Sequence, residues 1–306
     1  MSNLELTRAQ RLDQKVVELI PELSRSFAGR LIDDGKVQVN GVVCTKAGYK
    51  LRPLDEVAVD FNEAELSEIP DIELEILYED NDCVVINKPV GLLTHSKGAF
   101  NPEATVATWL RTHCARSNLS HKANRGEGDE NDVRGLTFHN QRAGIVHRLD
   151  RATSGVMICA KTPGALSWLQ KQFAQRKTKK TYHAVVLGAM QHPDAVIDMP
   201  IERNPKAPAT FRVGTQGKYA KTTYHTLRHK NDYSLLELKP ETGRTHQLRV
   251  HLAHQGHPIV GDTLYAGEPA ERLFLHAAEL ELTLLAGHER KVFQAPTPPE
   301  FYDKVG

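Results

Sequence analysis

A carboxylate set between two guanidinium groups, Arg148-Leu149-Asp150-Arg151 in the segment HRLDRATSG, is the strongest chemical signal in the sequence. Each nearby cation favours the anion over the acid, so such an aspartate is held ionised. In a buried site it can attack a sugar carbon as a nucleophile or act there as a base. Taken alone, the triplet more commonly marks a structural ion pair. A second cluster lies in HQLRVHLAHQGH, where offsets of three among His251, His254 and His257, after His246, fit one helix face. There is no H-E-x-x-H and no cysteine nearby, so these read as helix-face and helix-end histidines and no metal is expected. Neither G-x-G-x-x-G nor G-x-x-x-x-G-K-[ST] occurs, and no nucleotide cofactor is expected. Cys44, Cys83, Cys114 and Cys159 form no C-x-x-C pair and read as reduced thiols.

The segment holding Asp150 has a loop-like centre between apolar ends, Ile145-Val146 and Val156–Cys159. Before it, ELEILYEDNDCVVINKP alternates and runs into a buried strand that stops at Pro89. The polar stretch from Arg116 to Gln141 has no apolar periodicity and is expected to be a surface loop or lid. After it, ALSWLQKQFAQRKTKK predicts an amphipathic helix with a basic end. KTYHAVVLG, TTYHTLRH and SLLELKP predict strands, and RTHQLRVHLAHQG predicts a helix capped by Gly256. Strands and helices mix without regular βαβ alternation, which predicts an α+β fold. Arg244, in GRTHQ, and Lys88, in Asn87-Lys88-Pro89, are candidate phosphate or polyanion contacts, though the latter reads equally as a strand end.

At 306 residues, 40% apolar and 25% charged, the chain suits about two globular domains. No run approaches the roughly 18 apolar residues of a bilayer span, and MSNLELTRAQRLDQ lacks a secretory pattern, so a cytoplasmic protein is expected. The net charge of +1 hides a partition. Glu63–Asp82 holds nine acidic residues and no Lys or Arg, whereas residues 83–306 carry 30 basic against 20 acidic ones. That excess of +10 is compatible with attraction to phosphate or with a scattered surface excess. Division at 1–62, an acidic linker at 63–71 and a larger domain at 72–306 follows.

In the first unit, RLDQKVVELIP predicts a helix with Leu12, Val16, Val17 and Ile20 on one face. Ser24 precedes a second helix, RSFAGRLIDDG, ending at Gly35. Asn40-Gly41 between β-branched residues predicts a hairpin, and YKLRPLDEVAVDF a closing strand. The stretches RLDQ, SRS, LIDDGKVQVNG and PLDEVAV resemble the alpha-L RNA-binding motif over roughly residues 9–61. The resemblance makes Arg11, Arg25, Arg30 and Lys36 candidate phosphate contacts; otherwise they are solvated helix residues.

The larger unit resembles the RluA-type pseudouridine synthase family. HRLDRATSGVMICAKT resembles its signature loop. INKPVGLLTH, KTYHAVVLG, ETGRTHQLRVHLAHQGHPIVGDTLYAG and RLFLHAAELEL follow its other segments in order, over most of residues 72–300. The resemblance implies a mixed, largely antiparallel sheet and isomerisation of uridine in RNA without a cofactor. It implies Asp150 as the catalytic aspartate, Tyr182 as the tyrosine beside the target base and Arg249 as the cation pairing with the carboxylate. Arg148 would move with the extruded nucleotide, and Arg151 would bind substrate beside it. Covalent attack and ribose deprotonation both stay open. Ribosomal large-subunit RNA is the expected substrate, with transfer RNA the alternative, and the protein is expected to act as a monomer. Rival readings are a non-catalytic RNA-binding protein and a glycoside hydrolase; the latter usually needs a second opposed carboxylate, and none stands out.

Overall fold

The computed structural model describes residues 10–20, 23, 25–61, 70–95, 103–124 and 144–306. Ser24, most of the acidic linker and the polar residues 125–143 lie outside these. In the N-terminal unit, helices α1 (Leu12–Leu19) and α2 (Arg25–Asp33) precede strands β1 (Val37–Val39), β2 (Val42–Val43) and β3 (Val57–Val59), ordered β2-β1-β3. Asn40 and Gly41 both have positive φ, 53° and 77°, the geometry a two-residue primed turn demands. Leu12 and Val16 are fully buried against Leu31, Ile32 and Val37, while Val17 and Ile20 pack at the edge of that core. The predicted closing strand is regular only over β3.

The larger unit is built on a nine-stranded sheet. Its strands are β4 (Glu75–Glu79), β5 (Cys83–Lys88), β6 (Ser154–Ala160), β7 (Lys179–Leu187), β8 (Asp194–Asp198), β11 (Lys221–Lys230), β12 (Tyr233–Pro240), β13 (Leu275–Thr283) and β14 (Arg290–Gln294). A separate hairpin pairs β9 (Ile201–Arg203) with β10 (Phe211–Val213). The sheet runs β4-β5-β6-β13-β7-β12-β11-β8, with β14 continuing beside the far half of β13. All its pairings are antiparallel except β6 with β13, so the sheet is mixed and largely antiparallel as expected. At that parallel junction Gly155 (φ 115°) faces Ala277, and a Cβ would lie 2.1 Å from the Ala277 carbonyl oxygen; only glycine fits.

Helix α3 (Val106–Asn124) runs nine residues into the stretch expected to be a loop, so that expectation is corrected as far as Asn124. Its first turns bury Val106, Ala107 and Leu110 on β5 and β6, and this packing overrides the weak pattern further on. Helix α4 (Pro163–Ala174) starts at Thr162, whose hydroxyl accepts from the Ala165 amide at 3.2 Å. It ends before the basic residues placed in it: Arg176 turns left-handed (φ 56°), and Lys179 and Lys180 open β7. Helix α5 (Gln247–His254) starts three residues later than expected, and Gly256 (φ 85°) follows it. Helix α6 (Pro299–Lys304) closes the chain with Phe301 buried against Phe274.

Two histidines inside this frame must be neutral. His147 Nε2 accepts from the Ile158 amide at 3.1 Å and its ring stacks on Phe173; burial lowers its pKa to about 3. His276 spans Ser154 Oγ (2.8 Å) and the Ala295 carbonyl (3.2 Å), and burial lowers its pKa to about 4. An unfolded histidine titrates near 6.5, so between about pH 4 and 6.5 the unfolded chain binds protons that the folded one refuses. Stability is therefore full above this window and falls as pH drops through it, by on the order of 2 kcal/mol per histidine between pH 7 and pH 5. Urea titrations should show the midpoint declining over that range, less steeply in His276→Gln; a flat profile in the wild type would refute both assignments.

Candidate active site

The Asp150 loop is pinned from the end of β5. Lys88, fully buried, donates from Nζ to the carbonyls of Pro89 (2.9 Å), Leu92 (2.8 Å) and Arg151 (3.4 Å). Lys88 is thus not the RNA contact proposed from sequence: its ammonium is spent on turning backbone oxygens inward. Burial lowers its pKa to about 8, partly opposed by the charge of Asp150. Thr94 Oγ1 donates to the Leu149 carbonyl at 2.8 Å, and the Thr153 amide closes on the Asp150 carbonyl at 3.0 Å. These bonds hold both ends of Asp150's peptide units, so its side chain emerges from a braced turn.

Asp150 opens into a cleft of about 140 Å³ with Arg148, Lys180, Tyr182, Arg244, His246 and Arg249 among its walls. The flanking arginines of the sequence are not its counter-ions. Arg151 pairs with Glu103, and Arg148 is exposed. The cation that faces Asp150 is Arg249, from α5, with Nη1 3.6 Å from Oδ2. Its direct hydrogen bonds go elsewhere: Nε and Nη2 each donate to Asp262 at 2.7 Å, a bidentate pair with Asp262 almost wholly buried. Burial opposes the guanidinium charge, but the bond to Asp262 and the field of Asp262 and Asp150 outweigh it and raise its pKa. Asp262 escaped the sequence reading because nothing in a spacing of thirteen residues announces a fork-to-fork pair.

His246 was read only as a helix residue, yet it lies at the centre. It sits left-handed (φ 56°) just before α5, with Nε2 3.7 Å from Asp150 Oδ2 and Nδ1 2.8 Å from the Tyr265 hydroxyl. The Tyr265 oxygen accepts from the Phe211 amide at 3.0 Å, leaving its proton for Nδ1. This order of partners assigns the imidazole proton to Nε2, facing Asp150. Burial lowers the His246 pKa despite Asp150, so the ring is neutral near pH 7. Gln247 braces the turn, accepting from Thr242 Oγ1 (2.7 Å) and the Arg244 amide (3.0 Å) and donating to β11. Tyr182 enters from β7, in register with Ala277 and Leu238; burial first, then Asp150, raises its pKa, so the phenol keeps its proton.

The remaining nominees are scattered. Arg244 donates from Nε to the Tyr219 carbonyl at 2.9 Å at the cleft margin. Arg11 and Arg25 both bind the buried Asp13, at 3.0 and 2.9 Å, and Arg30 lies 5.1 Å over the Phe27 ring. Lys36 follows α2, its amide on the Leu31 carbonyl. His251 is buried between Thr222 and the Met199 carbonyl, and His257 bonds the Leu187 carbonyl. Among the described residues no three His, Cys, Asp or Glu side chains converge as metal ligands, and no helix is long and apolar enough to cross a membrane.

One carboxylate facing an arginine, an imidazole and a protonated phenol, at the margin of a mixed sheet, defines an enzyme site centred on a single acid. A family model described as RNA pseudouridylate synthase matches residues 82–254, and one described as the S4 domain matches residues 10–57. The chain is 38% identical over 97% of its length, and 90% of the relative's, to ribosomal large subunit pseudouridine synthase D of Escherichia coli (strain K12). It is 36% identical, over 97% of its length and 88% of the relative's, to an uncharacterized RNA pseudouridine synthase of Synechocystis sp.. Human RNA pseudouridylate synthase domain containing 1 superposes with a TM-score of 0.56 at 28% identity, covering 75% of this chain and 86% of that one. The chain therefore belongs to the RNA pseudouridylate synthase family. It is an isomerase acting on RNA, with an S4 domain at its N-terminal side.

Breaking a buried ion pair by removing one partner costs about 3–5 kcal/mol, because the other charge is left uncompensated. Arg249→Met and Asp262→Asn should each lower the melting temperature and the activity. Combining Arg249→Met with Asp262→Leu removes both charges and should restore much of the stability but not the activity. Thermal melts read beside turnover check this; full activity in the double variant would show that Asp150 needs no cation.

Proposed function

We propose that this protein converts a uridine of ribosomal large-subunit RNA to pseudouridine in the cytoplasm, with Asp150 as the catalytic carboxylate. The observation that carries the reading is the facing of Asp150 by Arg249 at 3.6 Å in a cleft walled by the protonated Tyr182. The substrate follows from the Escherichia coli relative, a ribosomal large subunit pseudouridine synthase, and is supported by the S4 match.

The reaction breaks the bond from ribose C1′ to uracil N1 and makes one from C1′ to C5; the proton leaves C5 and N1 gains one. Attack by Asp150 at C1′ and removal of a ribose proton both need an anion at the same place. Arg249 supplies a fixed positive field that favours that anion. The Tyr182 phenol offers a ring to the flat base and a hydroxyl for moving the C5 proton. The target base must leave its stack, at a cost of a few kcal/mol that protein contacts offset. Arg148, Arg151 and Arg244 are assigned to this capture at the cleft. Residues 1–62, with Arg30 and Lys36 and the exposed portions of Arg11 and Arg25, are assigned to more distant RNA.

Asp150→Asn keeps the size of the side chain and removes its charge. Purified variant and wild type are compared by release of tritium from ribosomal RNA labelled at uridine C5. The variant should fall below a few per cent of wild type with unchanged melting temperature and RNA affinity. Substantial tritium release by Asp150→Asn would exclude this carboxylate as the reacting group, and wild-type release from transfer RNA alone would overturn the substrate.

A further inference from the structure

One exposed aromatic stands beside the cleft on an unusually well-fastened backbone. Tyr219 is 43% exposed, two residues before β11. On one side of it, Lys218 and Ile201 exchange backbone hydrogen bonds at 2.8 and 3.0 Å; on the other, the Ala220 carbonyl accepts from the Met199 amide at 3.1 Å. Gly217, two residues before, lies so near Ile201 that a Cβ would meet its backbone at 2.5 Å. The ring is therefore presented to solvent by a segment that cannot easily fold it away. Hydrophobic burial gives no reason for this.

A cation lies over that ring. The Arg176 guanidinium carbon is 5.6 Å from the ring centroid. Arg176 takes the left-handed conformation (φ 56°) just after α4, where glycine is the ordinary residue because it has no Cβ to clash. Strain of this kind persists where the position of the side chain matters. Both members stand next to residues of the cleft. The Tyr219 carbonyl accepts from Nε of the cleft-lining Arg244 at 2.9 Å. Lys180, which also lines the cleft, is close enough to Arg176 for their charges to repel.

The geometry points to a second subsite: Tyr219, with Arg176, forms a stacking shelf for the unpaired base next to the target uridine. It rests on the reading of the cleft as the uridine site. A phosphate alone would need the cations but not an anchored, exposed ring; a base offers a π-face to the ring, and its phosphate meets Arg176 and Arg244. Such a shelf holds the neighbour of the extruded nucleotide while tolerating any base, so it favours looped over paired RNA rather than one sequence.

The test uses full-length protein and fluorescence anisotropy with a single-stranded RNA oligonucleotide holding one uridine, intact or abasic at its 5′ or 3′ neighbour. Binding is read without turnover, so it stands apart from the tritium-release result. Stacking on one aromatic is worth roughly five- to a hundredfold in affinity. Tyr219→Ala should weaken binding of intact RNA by about tenfold on that scale, with an unchanged melting temperature, while Tyr219→Phe keeps the affinity. One of the two abasic RNAs should lose the same factor against wild type and lose nothing further against Tyr219→Ala. Equal affinity of wild type for all three RNAs overturns the shelf, whether or not the alanine variant folds. So does a Tyr219→Ala loss of equal size on the intact RNA and on both abasic RNAs.

Discussion

The buried pair of Arg249 and Asp262 is the constraint around which the active site is organised. A guanidinium so placed would be costly without a partner, and a carboxylate almost wholly out of water would be more so. Joined fork to fork they satisfy each other and leave one edge of the guanidinium, Nη1, turned toward Asp150. Asp150 thereby meets a positive charge already locked in place and need not hold it. That division matters for catalysis, since a carboxylate tied into its own bidentate pair would have to break it before reacting.

Other parts of the molecule serve this arrangement from three directions. Lys88 and Thr94 brace the Asp150 loop against the end of β5. Gln247 holds the turn entering α5, which sets His246 left-handed and aims Arg249. Tyr265 bridges the two, with its ring 5.0 Å from the Arg249 guanidinium and its hydroxyl on His246. The parallel contact of β6 with β13, permitted by Gly155, brings the strand that follows Asp150 beside the neighbour of Tyr182's strand. The site is thus assembled from loops and helix ends, while the sheet supplies rigid places to hang them.

Burial also settles protonation. Tyr182 keeps its proton, and His246, His147 and His276 stay neutral, because each would lose solvation on charging. The charged side chains that share the cleft walls with Asp150 are then the cations Arg148, Lys180, Arg244 and Arg249, which suits a substrate that arrives with phosphates on either side.

Local pattern determined much of this protein. Strand-like segments announced β5, β7, β11 and β12; Asn40-Gly41 announced the hairpin; HRLD singled out Asp150. These depend on neighbours along the chain, which the sequence displays directly. Tertiary structure decided which cation would face Asp150. Arg148 and Arg151 stand beside it in sequence, yet Arg151 pairs with Glu103, Arg148 is exposed at the cleft wall, and the cation facing Asp150 is Arg249, ninety-nine residues on. It also made Lys88 a backbone clamp, Asp262 a counter-ion and His246 a cleft wall, and it stopped α4 before its basic end. In each case the outcome depends on which distant group is buried alongside, because charge and desolvation act through space and leave no periodic trace in the chain.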